Sequence, residues 1–379
     1  MRRIRIGERE TILSEEYKTR MQREQRFDGE LVFPLRRLRS LKKKFDDGLV
    51  QEYTGKNEQG HDTYQIPHDI DSFREYVQEI IDRYPSNLLT VKPSEMGDVI
   101  EDFEAILNDE ELTRVLKVGR NAKKPFWEIL VSQMMYQEIR RLIFPEYIRR
   151  QELKTCVYCN ANYTITDADG IAYYDLDHWK PKSKYPFLCI SFFNLQPSCH
   201  SCNMHKGNDD EHDYMGLYVD RDDEPLDIFS LTLDDADVAN YIAEHDRTHL
   251  NIHFKSSEPQ YDAMCNDMNT QLHIESMYKE HQDVAEEVIW RKMIYNDAFK
   301  DSLRNLLEEK NFTDEEINRF ILGSYFDEGD VHKRPLTKLM QDVGAGGKVR
   351  GLPPRSLTKY RSTTEHEEGQ VIDPMHLSP

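Results

Sequence analysis

The sequence predicts an α+β fold that is mostly helical, with a short segment of strands and turns near its middle. Residues 68–150 and 268–342 repeat apolar side chains at three- and four-residue spacing, which is the period of amphipathic helices. Residues 151–215 lose that period, alternate apolar with polar side chains and contain two Cys-x-x-Cys pairs. We therefore expect helical flanks around a small central module that a metal ion holds together.

Composition indicates a globular protein. The 379 residues suffice for two or three domains, and they are 38% hydrophobic and 32% charged. No apolar run approaches the length of a membrane span, and the basic start MRRIRI is followed by GERE instead of the apolar block of a secretory signal. We expect a cytoplasmic protein without a membrane partner.

The net charge of −20 is unevenly distributed. Residues 1–50 carry 14 Lys and Arg against 9 Asp and Glu, and residues 331–379 carry 8 against 5. Residues 51–330 carry 28 against 56, a net charge of −28. So acidic a middle should repel a polyanion except where basic side chains cluster. We expect a partner, or the basic N-terminal arm, to supply much of any nucleic-acid binding.

The same patterns divide the chain into five predicted segments. They are a basic N-terminal arm (1–60), a helical domain (61–150), the central module (151–215), an acidic linker with a C-terminal helical region (216–342), and a flexible tail (343–379). The arm contains FPLRRLRSLKKKF, which is a solvated helix face, an arm docked on its own domain, or an arm that contacts phosphate or a partner. The tail is rich in Gly, Pro, Ser and Thr, which is typical of flexible segments.

Within the flanks and the module, individual elements can be predicted. The stretch FWEILVSQMMYQEIRRLIF indicates a helix whose Met134, Met135 and Tyr136 belong to the core. The stretch ANYTITDADGIAYYDLDH alternates around an Asp-Gly turn and predicts one β-hairpin that ends at His178, with a short helix opening near CHSCNMHKG. LNIHF is strand-like, and TDEE before INRFIL has the form of a capping box.

The cysteines predict a structural zinc site. Four of the six cysteines form two pairs with metal-ligand spacing, namely Cys156 with Cys159 and Cys199 with Cys202. Each Cys-x-x-Cys turn can present two sulfurs to one ion, so the two pairs supply a closed tetrahedral Zn²⁺ site in a reducing compartment. Cys189 and Cys265 lack this spacing and are predicted to be small buried apolar residues.

A second group of polar residues lies between the two cysteine pairs and beyond them. Asp177 precedes His178, Asn194 follows sixteen residues later, and Asn203 comes directly after Cys202. An imidazole can take a proton from water near neutral pH, and carboxylate and amide oxygens can hold Mg²⁺ or Mn²⁺. These are the components of metal-assisted phosphodiester hydrolysis. The alternative is an Asp-His surface pair without chemistry beside a zinc knuckle.

The order of these motifs resembles the zinc-containing, four-Cys branch of the HNH endonucleases. The matching stretches are TCVYCN, LDHWKPKS, FNLQPSC and HSCNMHKG, which together cover about residues 154–208. HNH enzymes are ββα-metal nucleases, in which a strand pair and a helix hold one catalytic cation. The resemblance therefore implies a ββα-metal module at the centre of this chain.

The resemblance also implies a role for each motif residue. His178 would be the general base, and Asp177 and Asn203 would be the ligands of the catalytic Mg²⁺ or Mn²⁺. Asn194 would brace the loop that orients the base, and Lys206 would lie near the phosphate. The basic side chains predicted around this site are Lys180, Lys182, Lys184, His205 and Lys206.

The stretch PKSKYPFLCISFFNLQPSCHSCN, followed by an acidic linker and helices, further resembles bacterial HNH proteins of anti-phage systems, in particular the nuclease subunit of Septu-type defence. This implies a DNA-cleaving effector that works with a separate ATPase, since GAGGKVRG lacks the spacing of a nucleotide-binding P-loop. Two alternatives stay open, a stand-alone restriction-like nuclease and a zinc-stabilised nucleic-acid- or protein-binding module without catalysis.

Overall fold

The structure is a computed structural model that describes residues 2–27, 29–208, 213–295, 297–308 and 312–345. Residues 209–212 of the predicted module lie outside this part of the chain. The predicted tail also lies outside it from residue 346 onward, while residues 343–345 belong to the last described helix.

The described residues combine helices with several small sheets, which confirms the prediction of a mixed helical and β fold. The helices are α1 (Glu8–Met21), α2 (Pro34–Asp46), α3 (Ile70–Arg83), α4 (Met96–Glu104), α5 (Asp109–Thr113), α6 (Phe126–Gln133), α7 (Tyr136–Leu142), α8 (Phe144–Arg150), α9 (His200–Lys206), α10 (Asp235–Glu244), α11 (Asp262–Leu272), α12 (Ile274–Tyr278), α13 (Gln282–Ile294), α14 (Asp297–Glu308), α15 (Asp314–Leu322) and α16 (Thr337–Ala345).

The strands are short, and most of them form two-stranded sheets. They are β1 (Ile4–Arg5), β2 (Gln25–Phe27), β3 (Glu30–Val32), β4 (Val50–Lys56), β5 (Asp62–Gln65), β6 (Val115–Val118), β7 (Lys124–Pro125), β8 (Ile165–Thr166), β9 (Ala172–Tyr173), β10 (Asp175–His178), β11 (Leu195–Ser198), β12 (Tyr218–Val219), β13 (Phe229–Leu233) and β14 (Ile252–Ser256). The largest sheet has the order β5-β4-β6-β7. In the described residues, no helix is both long and apolar enough to cross a membrane.

The described part of the first 60 residues packs into the body of the protein, as expected for an arm docked on its own domain. Contacts group residues 1–347 into one compact unit. Helix α2 carries the basic run, yet it buries Leu38, Leu41 and Phe45 against its neighbours. Strand β1 pairs in parallel with β12, more than 200 residues later. The three- and four-residue spacing of the apolar side chains in FPLRRLRSLKKKF gives α2 one buried face, so its cations lie on the opposite face.

An aromatic cluster joins the N-terminal helix to the central module. Tyr17 of α1 makes edge-to-face contacts with Phe144 and Tyr147 of α8, at ring-centroid distances of 5.7 and 5.4 Å. It also contacts Phe192, and its hydroxyl donates to the carbonyl oxygen of Ile190 at 2.8 Å. Because these rings are buried, they fix the segment that precedes β11.

The module contains two separate strand pairs, so the predicted hairpin around the Asp-Gly turn is confirmed, but it does not extend to His178. Strands β8 and β9 form a small hairpin around Gly170, whose φ of +85° suits glycine in the turn. Strand β10 instead pairs with β11, with Asp177 opposite Gln196 and His178 opposite Leu195. Helix α9 follows β11 directly, so β10, β11 and α9 form a compact strand-strand-helix unit.

Candidate active site

The structure brings the four paired cysteines together, as their spacing predicts. The Sγ atoms of Cys156, Cys159, Cys199 and Cys202 all lie within 4.8 Å of one another. Three of these residues are buried, and Cys199 is half-buried. None of them forms a disulfide. A tetrahedral zinc ion with Zn–S bonds of about 2.3 Å holds its sulfurs roughly 3.8 Å apart, so this cluster has the size of a zinc site.

Local hydrogen bonds shape the first cysteine turn. The N–H of Asn160 donates to the carbonyl oxygen of Cys156 at 2.8 Å, and Asn160 adopts a φ of +54° that Asn tolerates better than most residues. The N–H of Ala161 donates to Cys159 Sγ at 3.4 Å, and Asn162 Nδ2 lies 3.6 Å from Cys199 Sγ. Such N–H donors stabilise sulfur in its thiolate form.

The chemistry of the cluster fits a zinc ion. Burial raises the pKa of the Cys156 thiol well above its ordinary value. A thiolate at that position therefore needs a cation beside it, and a bound Zn²⁺ supplies that charge. The N–H donors around Cys159 and Cys199 also favour the thiolate form of those sulfurs. This buried four-Cys cluster could bind zinc, with all four ligands from the protein and no open position for a substrate.

Strand β10 carries the second group of predicted site residues. Side chains alternate along a strand, so Asp175 and Asp177 share one face and His178 lies on the other. Asp177 is 6% exposed and His178 is 3% exposed. The predicted base and the predicted carboxylate ligand therefore lie at the end of the same short strand, and both are almost fully buried.

The surroundings of His178 fix its tautomer. Its Nε2 lies 3.0 Å from the carbonyl oxygen of Cys189. A carbonyl oxygen only accepts, so Nε2 carries the proton and Nδ1 keeps its lone pair. The ring also packs on Tyr136, with ring centroids 4.6 Å apart. Burial, followed by the charge of Lys182, lowers the pKa of His178 well below its ordinary value, which keeps the imidazole neutral.

Asp177 is held by neighbours from two other elements. Its Oδ2 accepts a hydrogen bond from the Tyr158 hydroxyl and lies 3.4 Å from Lys206 Nζ. Lys206 also donates to the carbonyl oxygen of His178 at 2.8 Å. The Lys206 side chain is 3% exposed, so it points from α9 toward β10 and not toward solvent. Tyr158 lies between the first two cysteines, which links the thiol cluster to this carboxylate.

Asn194 uses its whole amide to hold the loop after His178. Its Oδ1 accepts from the N–H of Lys180 at 2.7 Å, and its Nδ2 donates to the carbonyl oxygens of Lys180 and Leu188 at 3.0 and 3.1 Å. The side chain is completely buried. These three bonds fix the loop that brings the Cys189 carbonyl to His178.

Asn203 of α9 contacts Asp175. Its Nδ2 donates to Asp175 Oδ2 at 3.1 Å. Within the described part of the chain, no hydrogen bond is found at Asn203 Oδ1, at Asp177 Oδ1 or at His178 Nδ1. A carboxylate oxygen and an amide oxygen are ligands that Mg²⁺ and Mn²⁺ prefer, so the donor set fits a hard divalent cation.

Sequence reasoning did not identify three residues of this site. Asp175 accepts a hydrogen bond from Asn203 Nδ2. It also forms an ion pair with Arg140, whose Nη2 lies 3.3 Å from Asp175 Oδ1. Tyr158 binds Asp177. Arg140 comes from α7, and its contact depends on the tertiary fold. For Asp175 and Tyr158 the sequence does offer a signal, because each lies two residues or fewer from a motif residue.

Comparisons with known proteins give one local similarity. The Septu protein PtuB of Bacillus thuringiensis is 38% identical to this chain over 55 residues. That stretch is 14% of this chain and 20% of the relative, so the chain matches a minor part of that protein. No family model matches the chain, and no solved structure matches it.

Proposed function

We propose that the chain is a metal-dependent HNH-type endonuclease that hydrolyses nucleic-acid phosphodiester bonds, with DNA as the favoured substrate. His178 is the general base, and Asp177 and Asn203 hold the catalytic Mg²⁺ or Mn²⁺. In the cell the enzyme serves as an anti-phage effector that works with an ATPase partner. The preference for DNA and the identity of the partner rest on the resemblance to HNH and Septu-type proteins.

The observation that carries the proposal is the state of His178. Its Nε2–H donates to the Cys189 carbonyl, so the free lone pair is on Nδ1. The lowered pKa keeps that lone pair available at neutral pH. A neutral imidazole with an oriented, unprotonated nitrogen is the form in which histidine accepts a proton. An ordinary surface histidine would have none of these constraints.

The oxygens of Asp177 and Asn203 supply the second part of the proposal. Asp177 Oδ1 and Asn203 Oδ1 receive no hydrogen bond from the described residues, while Oδ2 and Nδ2 of the same side chains are fixed. A divalent cation bound there would neutralise the charge that develops on the phosphate and the leaving oxygen. Lys206 holds Asp177 from the side of the helix.

Basic side chains near the site support a phosphate-bearing substrate. Lys182 Nζ lies 5.7 Å from the centre of the Tyr136 ring, which is also in contact with His178. Arg140 is a second cation close to strand β10, because its Nη2 pairs with Asp175 Oδ1. Phosphate contacts of this kind position a backbone without reading its sequence. The net charge of −28 over residues 51–330 limits such binding to this local region.

The defence role is supported by the local similarity to the Septu protein PtuB. The acidic body is a second argument for a partner, because a chain that repels polyanions benefits from a subunit that delivers the substrate. Purified protein without its ATPase would then cut slowly, and the assembled pair would cut faster.

Cleavage of supercoiled plasmid and of RNA by the purified zinc-loaded protein tests the proposal, with Mg²⁺, Mn²⁺ or EDTA. His178→Ala is the decisive variant, and His68→Ala is the matched control because its ring is largely exposed, with 85% of the side chain accessible. Metal-dependent cutting that His178→Ala abolishes and His68→Ala keeps supports the nuclease.

Absence of cutting by the protein alone leads to a second experiment, in which any ATPase encoded beside its gene is co-expressed. Cutting that appears only with this partner supports the assembled effector. If neither preparation cuts, yet the protein binds nucleic acid, the chain is a zinc-stabilised binding module and the proposed catalysis is wrong.

A further inference from the structure

We propose that Asp175 is a positioning residue that sets the orientation of the Asn203 amide and thereby the affinity of the site for its divalent cation. The inference rests on the proposed function, because it concerns the same cation. It concerns a residue outside the Asp177-His178 pair, at the other end of strand β10.

Asp175 is the point where three elements meet. It begins β10, and its Oδ2 accepts from Asn203 Nδ2 of α9 at 3.1 Å. The same oxygen lies 2.9 Å from Nδ1 of His200, the first residue of α9. Its Oδ1 pairs with Arg140 of α7 at 3.3 Å. Both oxygens of this carboxylate are therefore engaged by the protein.

The contact with Asp175 decides which end of the Asn203 amide faces the site. An ionised carboxylate can only accept hydrogen bonds, so the atom of Asn203 that faces it has to be the NH₂ group. The amide oxygen then points away from Asp175. Asp177 lies on the same face of β10 as Asp175. If Asp177 and Asn203 hold one cation, as in the proposed function, the amide oxygen of Asn203 has to keep this orientation.

Without Asp175, nothing in the described residues holds the Asn203 amide in this orientation. The terminal torsion of Asn is broad and has two favoured orientations, so the side chain would also present its NH₂ group to the cation. That orientation repels a cation and has to be given up on binding. Partners that orient metal ligands in this way change metal affinity by about 10- to 100-fold.

Asp175 is not assigned as a ligand itself, because its charge is already offset. Arg140 and His200 both point their nitrogen atoms at its oxygens. Replacement of these contacts by a cation would leave the Arg140 guanidinium beside a second positive charge. Asp175 therefore acts through Asn203.

Mn²⁺ binding to the full-length, zinc-loaded protein, measured by the EPR signal of free Mn²⁺, tests this assignment without relying on cleavage. The variants are Asp175→Ala, Asn203→Ala and the double variant, with zinc content and thermal unfolding as controls for folding. His200→Gln is the matched control, because it removes a different contact of the same carboxylate. Asp175→Asn keeps an acceptor oxygen and serves as the second variant if Asp175→Ala does not fold.

We expect Asp175→Ala to weaken Mn²⁺ binding by about tenfold or more, Asp175→Asn to weaken it less, and His200→Gln to change it by less than about twofold. The double variant should bind Mn²⁺ as Asn203→Ala does, because a residue that acts through another adds nothing once that residue is gone.

Several outcomes would overturn the inference alone. The first is that Asp175→Ala binds Mn²⁺ with wild-type affinity. The second is that His200→Gln loses as much Mn²⁺ affinity as Asp175→Ala, which would indicate that Asp175 only braces α9. The third is that the double variant binds Mn²⁺ much more weakly than Asn203→Ala, which would indicate that Asp175 is a direct ligand. If the wild-type protein binds no Mn²⁺ at all, the cation site of the proposed function is wrong, and this inference is overturned with it.

Discussion

The thiol cluster consists of Cys156, Cys159, Cys199 and Cys202, and the oxygen site consists of Asp177, His178 and Asn203. Both lie in one small module, but their ligand atoms are held differently. Around the thiol cluster, N–H donors point at the sulfurs and four ligands converge. At the oxygen site, Asp177 Oδ2 and Asn203 Nδ2 are hydrogen-bonded, while Asp177 Oδ1 and Asn203 Oδ1 receive no hydrogen bond from the described residues. The first arrangement is closed and suits a structural ion, whereas the second keeps ligand oxygens for a cation and a substrate.

This difference predicts that the thiol cluster determines the stability of the module and that the oxygen site determines the proposed activity. Loss of the closed cluster should unfold the module, because buried sulfurs would lose the ion that brings them together. Loss of a group at the oxygen site should cost rate and little stability. The following changes separate the two.

The largest effect is expected from Cys156→Ser. It removes a fully buried ligand, so zinc should be lost and the free energy of unfolding should fall by roughly 5 kcal/mol or more, together with all cleavage. Zinc content by a chromogenic chelator and a denaturant titration measure this. The control is Cys265→Ser, a buried cysteine outside the cluster, which should keep its zinc. Retention of zinc by Cys156→Ser would contradict a four-thiolate site.

His178→Ala should separate rate from stability. Removal of a general base lowers the rate by about 10²- to 10⁴-fold, while zinc content should remain that of the wild type. Single-turnover cleavage beside zinc quantification measures both. A loss of zinc in this variant would mean that His178 supports the cluster, and the separation of the two sites would then be incorrect.

Asn194→Ala should destabilise the loop beside the oxygen site. It removes the hydrogen bonds that the Asn194 side chain makes to the Lys180 N–H and to the carbonyl oxygens of Lys180 and Leu188. Losses of this kind cost about 1–3 kcal/mol each, so we expect about 4 kcal/mol in the free energy of unfolding. Urea unfolding measures it, and Asn208→Ala is a control because that side chain is exposed. A change below about 1 kcal/mol would contradict the bracing role.

Acid should loosen the side of the module that carries the first cysteine turn. His332 donates a ring hydrogen bond to the Arg2 carbonyl, and its own carbonyl accepts from Lys154, two residues before Cys156. Burial lowers the pKa of His332 to about 4. Below pH 6.5 the His332 ring is protonated in the unfolded chain but stays neutral in the folded chain. Stability is therefore complete above pH 6.5 and falls by at most about 3 kcal/mol as the pH approaches 4.

The corresponding measurement is the free energy of unfolding between pH 7 and pH 4.5. His332→Gln should flatten the slope of that curve, since it removes the titrating ring. An unchanged slope would assign the acid sensitivity to other groups.

The smallest effect is expected from Tyr158→Phe, which removes the hydroxyl that binds Asp177 and keeps the ring. One hydrogen bond to a charged group contributes about 1.5–3 kcal/mol when it is buried. We expect a loss of about tenfold in Mn²⁺ affinity with zinc retained. Unchanged Mn²⁺ affinity would show that the two sites are independent of each other.

The sequence predicted the parts of the chain that depend on local geometry. Cys-x-x-Cys spacing is a property of one turn, and the four sulfurs do meet. The capping box before α15 is confirmed as well, because Thr313 Oγ1 accepts from the Glu316 N–H at 3.2 Å and Glu316 accepts from the Thr313 N–H at 2.9 Å. Both patterns span four residues, so no tertiary contact can override them easily.

What the sequence did not predict depends on contacts between distant residues. The partner of β10 is β11, with Asp175 opposite Ser198, whereas the alternation before His178 indicated one hairpin with its nearest neighbour. The Arg140–Asp175 ion pair joins residues 35 positions apart. The basic run of α2 was interpreted by its charge, although the spacing of Leu38, Leu41 and Phe45 already indicated a packed helix face.

The bond from Tyr158 to Asp177 has a consequence for the whole module. Tyr158 lies in the loop between the first two cysteines, so whatever orders that loop also orders a carboxylate of the oxygen site. By thermodynamic linkage the effect is reciprocal, and occupancy of the oxygen site must raise the affinity of the thiol cluster for zinc by the same factor. We therefore expect removal of zinc to weaken divalent-cation binding at the oxygen site as well as to destabilise the module.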